Sequence, residues 1–316
     1  MNTIQRKIWA VLFAAMAWVS YLSAQETEVL EEVQDISVKE SVISTSEEKT
    51  NSLIWSISGN GIENPSFLFG TIHIIGSDDF FLPKGTEESF DQVKHVMMEL
   101  DMDDPSMLFS MMKVAMMKDH TLEDLLGEDE FARLKTFLLD SLNVSKMQFM
   151  GMKQMKPMLG MGVIYPSFIN GKLTSYEEKF MKMAKKRKLE ISGLESIEDQ
   201  MDAISSISDE DQAKMLMEMV DKFDEQKALF QKLIEYYVAE DIESLFSMMT
   251  EYEEISDVQT ELLDERNQNW IPLIKEQTAK EPTFIAVGAA HLFGEQGVIQ
   301  LLKNEGYTVL PVKDIK

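Results

Sequence analysis

The sequence predicts an α/β protein: a discontinuous mixed-sheet core interrupted by a methionine-rich helical cap. Three observations carry this. Short apolar runs bounded by glycine, proline or asparagine lie toward both ends of the chain, in "LIWSISGNG", "SFLFGTIHII", "HVMMEL", "PTFIAVG" and "YTVLPV". Between them the pattern turns helical, from about 105 to 188 and again from about 208 to 280. Finally, two distant strands share one arrangement, an apolar run followed by a glycine and, three residues on, a histidine. These are Gly70 with His73 in "SFLFGTIHIIG" and Gly288 with His291 in "TFIAVGAAHLFG".

Taken in order, residues 1–24 read as a secretory signal peptide. "MNTIQRK" is basic, "IWAVLFAAMAWVSYL" is apolar, and "LSA" offers small residues for cleavage before Gln25. On that reading the protein is exported, to a periplasm or to the extracellular medium. Residues 25–50 are acidic and rich in Ser and Thr, the composition of a flexible lead-in. The α/β domain then covers 51–316. "LIWSISGNG" and "SFLFGTIHII" make a hairpin that turns at Gly59-Asn60-Gly61. "LPKGTEESFDQV" gives a turn and a helix with Thr86 as cap. "HVMMELDMDD" is a strand with an acidic end. A short strand, Leu189 to Ile191, separates the two helical blocks and runs into the loop "SGLES". The last elements are strand, helix and strand. Strand ends of such a sheet line a crevice where ligands bind.

Composition removes several classes of function. Cysteine is absent, which excludes disulfides, thiol catalysis and thiolate-bound zinc. The formal net charge of -25 opposes nucleic acid and anionic membrane surfaces as partners. After the leader, no apolar run is long enough to span a bilayer. Fourteen of the 24 methionines fall between Met97 and Met161. Met107, Met111 and Ala115 recur at helical spacing, so the cluster reads as core or groove lining rather than a copper(I) site.

The candidate site gathers polar residues that follow apolar runs. His73 and His291 come first. Glu99 in "VMMELD" and Glu195 in "ISGLES" each follow a strand, and Arg266 in "LLDERNQNW" is a conspicuous cation in an acidic chain. Two imidazoles with one or two carboxylates can hold zinc, manganese or cobalt. Without a metal, the same set can activate water by general base action. Arg266 can orient a substrate carboxylate or stabilise an oxyanion.

Six blocks in fixed order give the chain a resemblance to the TraB/GumN family, which includes Tiki-type membrane-associated metalloproteases. They are "FLFGTIHI", "MMELD", "ISGLESIEDQ", "YYVAEDIESL", "LLDERNQNW" and "FIAVGAAHLFGEQGVIQLLKNEGYTVLPV", from about Asn51 to Val312. The resemblance implies that His73 and His291 are the paired motif histidines and Glu99 the essential acid of divalent-metal-dependent peptide cleavage. Glu195 and Arg266 match family positions. The wider superfamily resembles erythromycin esterase and ChaN-like proteins, which implies histidine-base ester hydrolysis or haem and iron binding as alternatives. One departure is "YYVAED", where Glu240 precedes Asp241 in place of the family's usual glycine.

The sequence therefore leads to an exported hydrolase, a peptidase with one divalent ion on His73, Glu99 and His291, with Glu195 as a further ligand or proton shuttle. The alternatives are a metal-independent histidine-base hydrolase and a binding protein for haem, metal or an apolar ligand. Its substrate is a peptide or a small molecule.

Overall fold

The structure is a computed structural model that describes residues 51–250 and 263–312. The leader at 1–24 and the lead-in at 25–50 lie outside the described residues. The chain opens with a hairpin, β1 (Ile54–Gly59) antiparallel to β2 (Ser66–Thr71), paired Ile54 to Phe69 and Ile57 to Ser66. A two-residue strand β3 (Ile75–Gly76), a helix α1 (Thr86–Asp91) and strand β4 (His95–Met98) follow. The first helical block contains α2 (Met107–Ala115), α3 (Leu122–Thr136), α4 (Lys146–Met152) and α5 (Pro157–Gly160). Strand β5 (Leu173–Thr174) and helix α6 (Tyr176–Arg187) close it. After β6 (Glu190–Gly193) comes a second block: α7 (Ile197–Ser205), α8 (Asp209–Asp221), α9 (Phe223–Val238), α10 (Ile242–Thr250) and α11 (Glu265–Lys280). The chain ends with β7 (Thr283–Gly288), α12 (Val298–Asn304) and β8 (Tyr307–Pro311).

Six strands form one mixed sheet in the order β6-β4-β7-β2-β1-β8. The neighbours β6-β4, β4-β7 and β7-β2 are parallel, and β1 runs antiparallel to both β2 and β8. The inner parallel strands β4, β7 and β2 are buried throughout, as strands covered on both sides are, while β6 at the edge exposes Glu190. Phe67, Phe69, Val96, Met98, Phe284 and Ala286 face a core shared with the helical blocks. Leu68, Met97, Ile285 and Val287 face a second core, closed by Trp270, Ile271 and Ile274 of α11 and by Val298 and Leu302 of α12. A miniature sheet, β3 with β5, joins the loop after β2 to the start of α6.

Met107, Met111 and Ala115 are buried on one side of α2 and pack into the larger core. Phe109, Met112 and Met116 are exposed. Two local readings change. The cap of α1 is Gly85 at φ 86°, and Thr86 lies inside the helix with its hydroxyl donating to the Pro83 carbonyl at 2.6 Å. The strand expected over Leu189 to Ile191 is set two residues later at its end, at Gly193, because it pairs with the whole of β4. Glu240 adopts φ 54°, a left-handed conformation that favours glycine, which accounts for the glycine usual there. No described helix is long and apolar enough to cross a membrane.

Candidate active site

Four parallel strands end side by side, and each is followed within three residues by one of the expected side chains. In sheet order these are Glu195 after β6, Glu99 after β4, His291 after β7 and His73 after β2. Arg266 enters from the first turn of α11. His73, Glu99, Arg266 and His291 are all buried. The structure thus brings together all five residues singled out from sequence.

Arg266 is the hub. Its Nε donates to Glu195 Oε2 at 2.9 Å, and its Nη2 donates to Glu195 Oε1 at 2.6 Å and Glu99 Oε2 at 2.8 Å. Nη1 lies 3.4 Å from His291 Nε2. Trp270, one helical turn on, donates its indole N–H to Glu195 Oε2 at 3.2 Å and packs against the His291 ring, centroids 4.5 Å apart and planes tilted by 41°. Glu195 therefore meets the guanidinium fork with both oxygens, the planar geometry for which arginine is suited. Burial pushes its carboxyl up, against the pull of Arg266. Glu99 is held down to about 2: burial opposes this, but His73, Arg266, His291 and the Gly288 N–H together outweigh it. Glu99 is ionised at neutral pH.

The two imidazoles are held differently. His291 Nδ1 lies 2.7 Å from Asn267 Oδ1, and the Asn267 amide nitrogen donates to the Gln296 carbonyl at 2.8 Å. That leaves Nδ1 as the protonated nitrogen of His291. Burial, and then the charge of Arg266, lowers its pKa to about 3, so the ring is neutral. His73 Nδ1 lies 2.9 Å from Glu177 Oε1. Burial alone would lower His73, but Glu177 and Glu99 overcome it and the pKa is raised.

Between them lies a space kept by a glycine. A Cβ built on Gly288 would stand 3.3 Å from both His73 Nε2 and Glu99 Oε1, and 3.5 Å from His291 Cδ2. The Gly288 N–H also donates to Glu99 Oε1 at 2.7 Å. A small reacting atom placed there meets the His73 imidazole nitrogen and a Glu99 carboxylate oxygen together.

The donor chemistry suits a divalent ion; the placement does not. His73 and His291 Nε2 lie 3.8 and 3.9 Å from the same oxygen, Glu99 Oε1, and each Nδ1 is anchored in the manner of a metal-bound histidine. Yet the Arg266 guanidinium already holds the other Glu99 oxygen, Oε2, and lies 3.4 Å from His291 Nε2, so an ion at Oε1 would sit beside a fixed cation. A second cation there is strongly opposed. Among the described residues no three His, Asp or Glu side chains are gathered so as to hold a metal ion. In this arrangement both Glu195 oxygens accept from Arg266.

Several contributors escaped the sequence reading. Asn267 sits beside Arg266 in the quoted "ERNQNW", and Gln200 donates to Glu195 Oε1 at 3.2 Å. Glu177 carries no local signal at all, since it arrives from the cap across 104 residues.

The sequence profile of the TraB/PrgY/gumN family matches residues 53–311. The metalloprotease TIKI1 of Danio rerio is 22% identical over 328 residues, 84% of this chain and 64% of that protein. The metalloprotease TIKI2 of Xenopus tropicalis is 32% identical over 95 residues, 29% of this chain and 18% of that protein. TIKI1 of Homo sapiens is 34% identical over 90 residues, 28% of this chain and 17% of that protein. The chain thus spans less than two thirds of the length of these relatives. No solved structure matches it. With the profile covering the entire sheet and every strand end of the site, the chain belongs to the TraB/PrgY/gumN family.

Proposed function

We propose that the protein is a hydrolase that cleaves peptide bonds with an activated water, His73 acting as general base. The observation that carries this is the space at Gly288, 3.3 Å from His73 Nε2 and bounded by an ionised Glu99. His73 Nε2 takes a proton from water as the oxygen attacks the scissile carbonyl. Arg266 offsets the developing oxyanion, and Glu195 and Trp270 keep its fork in position. Glu99, 3.8 Å from His73 Nε2, stabilises the imidazolium that forms. His73 then returns the proton to the leaving amine, so that the balance is one water consumed per bond. The choice of a peptide bond draws on the name of the TIKI relatives; an ester would pass through the same steps.

That name also supports an ion-assisted peptidase, and one experiment separates the two. Protein treated with EDTA, and shown metal-free by elemental analysis, is expected to keep hydrolysing a quenched fluorescent peptide. His73→Ala should lose roughly 100-fold or more in kcat while still folding. Activity that disappears with EDTA and returns with zinc, manganese or cobalt would overturn the base reading. If neither peptide nor ester is turned over, and a ligand stays bound, the site is a binding site. Residues 1–24, read as a leader, support action outside the cytoplasm, which fractionation of cells expressing the full chain would test.

A further inference from the structure

We infer that Glu177, carried on the cap helix α6, is the positioning residue that fixes the ring orientation and tautomer of His73. The inference rests on the hydrolase reading for its consequence, but its geometry stands apart from it. Glu177 Oε1 accepts from the Thr71 hydroxyl at 2.7 Å and lies 2.9 Å from His73 Nδ1. A carboxylate has no proton to donate, so His73 Nδ1 carries the hydrogen and Nε2 is the basic nitrogen that faces the space at Gly288. Glu177 thereby stands to His73 as the third member of a triad stands to its base.

Three features show that this contact is built. First, β3 follows His73 by two residues and pairs Ile75 to Thr174, so the miniature sheet brings the start of α6 beside the His73 loop. Second, Ser175 caps α6 through Glu178 N–H at 3.1 Å, placing Glu177 in the first turn, where a helix favours negative charge. Third, the Glu177 side chain is only 13% exposed, and its Oε2 is buried without a hydrogen-bond partner. A carboxylate buried for stability alone would satisfy both oxygens. This one directs a single oxygen at Thr71 and His73. Because the cap supplies it, the base is complete only with the cap seated on the strand ends. Changes in the cap can therefore reach the chemical step as well as substrate fit.

Nitrogen-resolved NMR of the imidazoles in the full chain tests this without needing turnover. At a pH above the His73 titration, which Glu177 and Glu99 raise, the parent protein should show the neutral ring as the Nδ1–H tautomer. Glu177→Ala should shift it toward Nε2–H and lower kcat by roughly 10–100-fold, the cost usual for an orienting partner, with KM near the parent value. Glu177→Gln, whose amide oxygen can still accept, should keep the tautomer and recover part of kcat; it also serves if the alanine variant fails to fold. An unchanged tautomer in a folded Glu177→Ala protein overturns the inference, as does a loss confined to KM. If the tautomer follows Glu177 but no variant or parent hydrolyses anything, the positioning role stands and the hydrolase reading falls.

Discussion

Replacing one hydrogen of Gly288 by a methyl group would put a carbon 3.3 Å from His73 Nε2 and Glu99 Oε1. The backbone there has φ -53° and ψ 137°, which alanine adopts without strain. Gly288→Ala should therefore fold with a stability near the parent and lose about 100-fold in turnover, because the reacting atom is displaced by an ångström or so. Gly70 sits at the matching place in the other motif, yet a Cβ there would meet Leu292 Cδ1 at 2.6 Å and Ala289 Cα at 3.2 Å. Gly70→Ala should cost about 1–3 kcal/mol of stability by overpacking. Thermal unfolding and a peptide assay on both variants check the pair; equal effects on both readouts would mean the two glycines share one role. In sequence the motifs are indistinguishable. The repeat exposed His73 and His291, and a carboxylate at a strand end exposed Glu99, because each leaves a local trace. What separates Gly70 from Gly288, and what supplies Glu177, is contact over more than a hundred residues, which no local pattern records.

At the scale of elements, the hairpin, the strand ends and the α/β order were legible, since each rests on short apolar runs bounded by turn residues. The sheet order was not, because β4, β6 and β7 find one another across helical blocks. The start of α7 shows how an element sets the site. Ser196 Oγ accepts from Asp199 N–H at 3.2 Å, and Asp199 Oδ2 accepts in return from Ser196 N–H at 3.0 Å. This reciprocal cap fixes where the helix begins, directly after Glu195. It also aims Gln200 at Glu195 and, at 3.4 Å, at Glu99. Ser196→Ala should cost about 1 kcal/mol, seen as a lower urea midpoint at unchanged slope. Because Arg266 and Trp270 still hold Glu195, turnover should fall far less than in Gly288→Ala. A collapse of activity at full stability would show that the cap governs the chemistry directly.

Over the whole molecule, two kinds of electrostatics coexist and respond oppositely to salt. The chain carries 55 acidic against 30 basic residues, a net charge of -25 that repels itself in the folded state. Exposed pairs such as Lys280 with Glu276 offset this only slightly. The buried cluster of Arg266, Glu99 and Glu195 is shielded from solvent and is screened much less. Raising NaCl shrinks the screening length to about 8 Å at physiological ionic strength, which weakens the repulsion more than it weakens the buried pairs. The melting temperature should therefore rise with NaCl, by a few degrees if about 1 kcal/mol is recovered. Arg266→Met should behave differently from any surface change. It leaves Glu99 and Glu195 buried without their shared cation, a loss of about 3–5 kcal/mol that added salt should not restore. Calorimetry of parent and variant across a salt series measures both slopes. A melting temperature that falls with salt in the parent would mean that surface pairs, and not net repulsion, govern the stability of this fold.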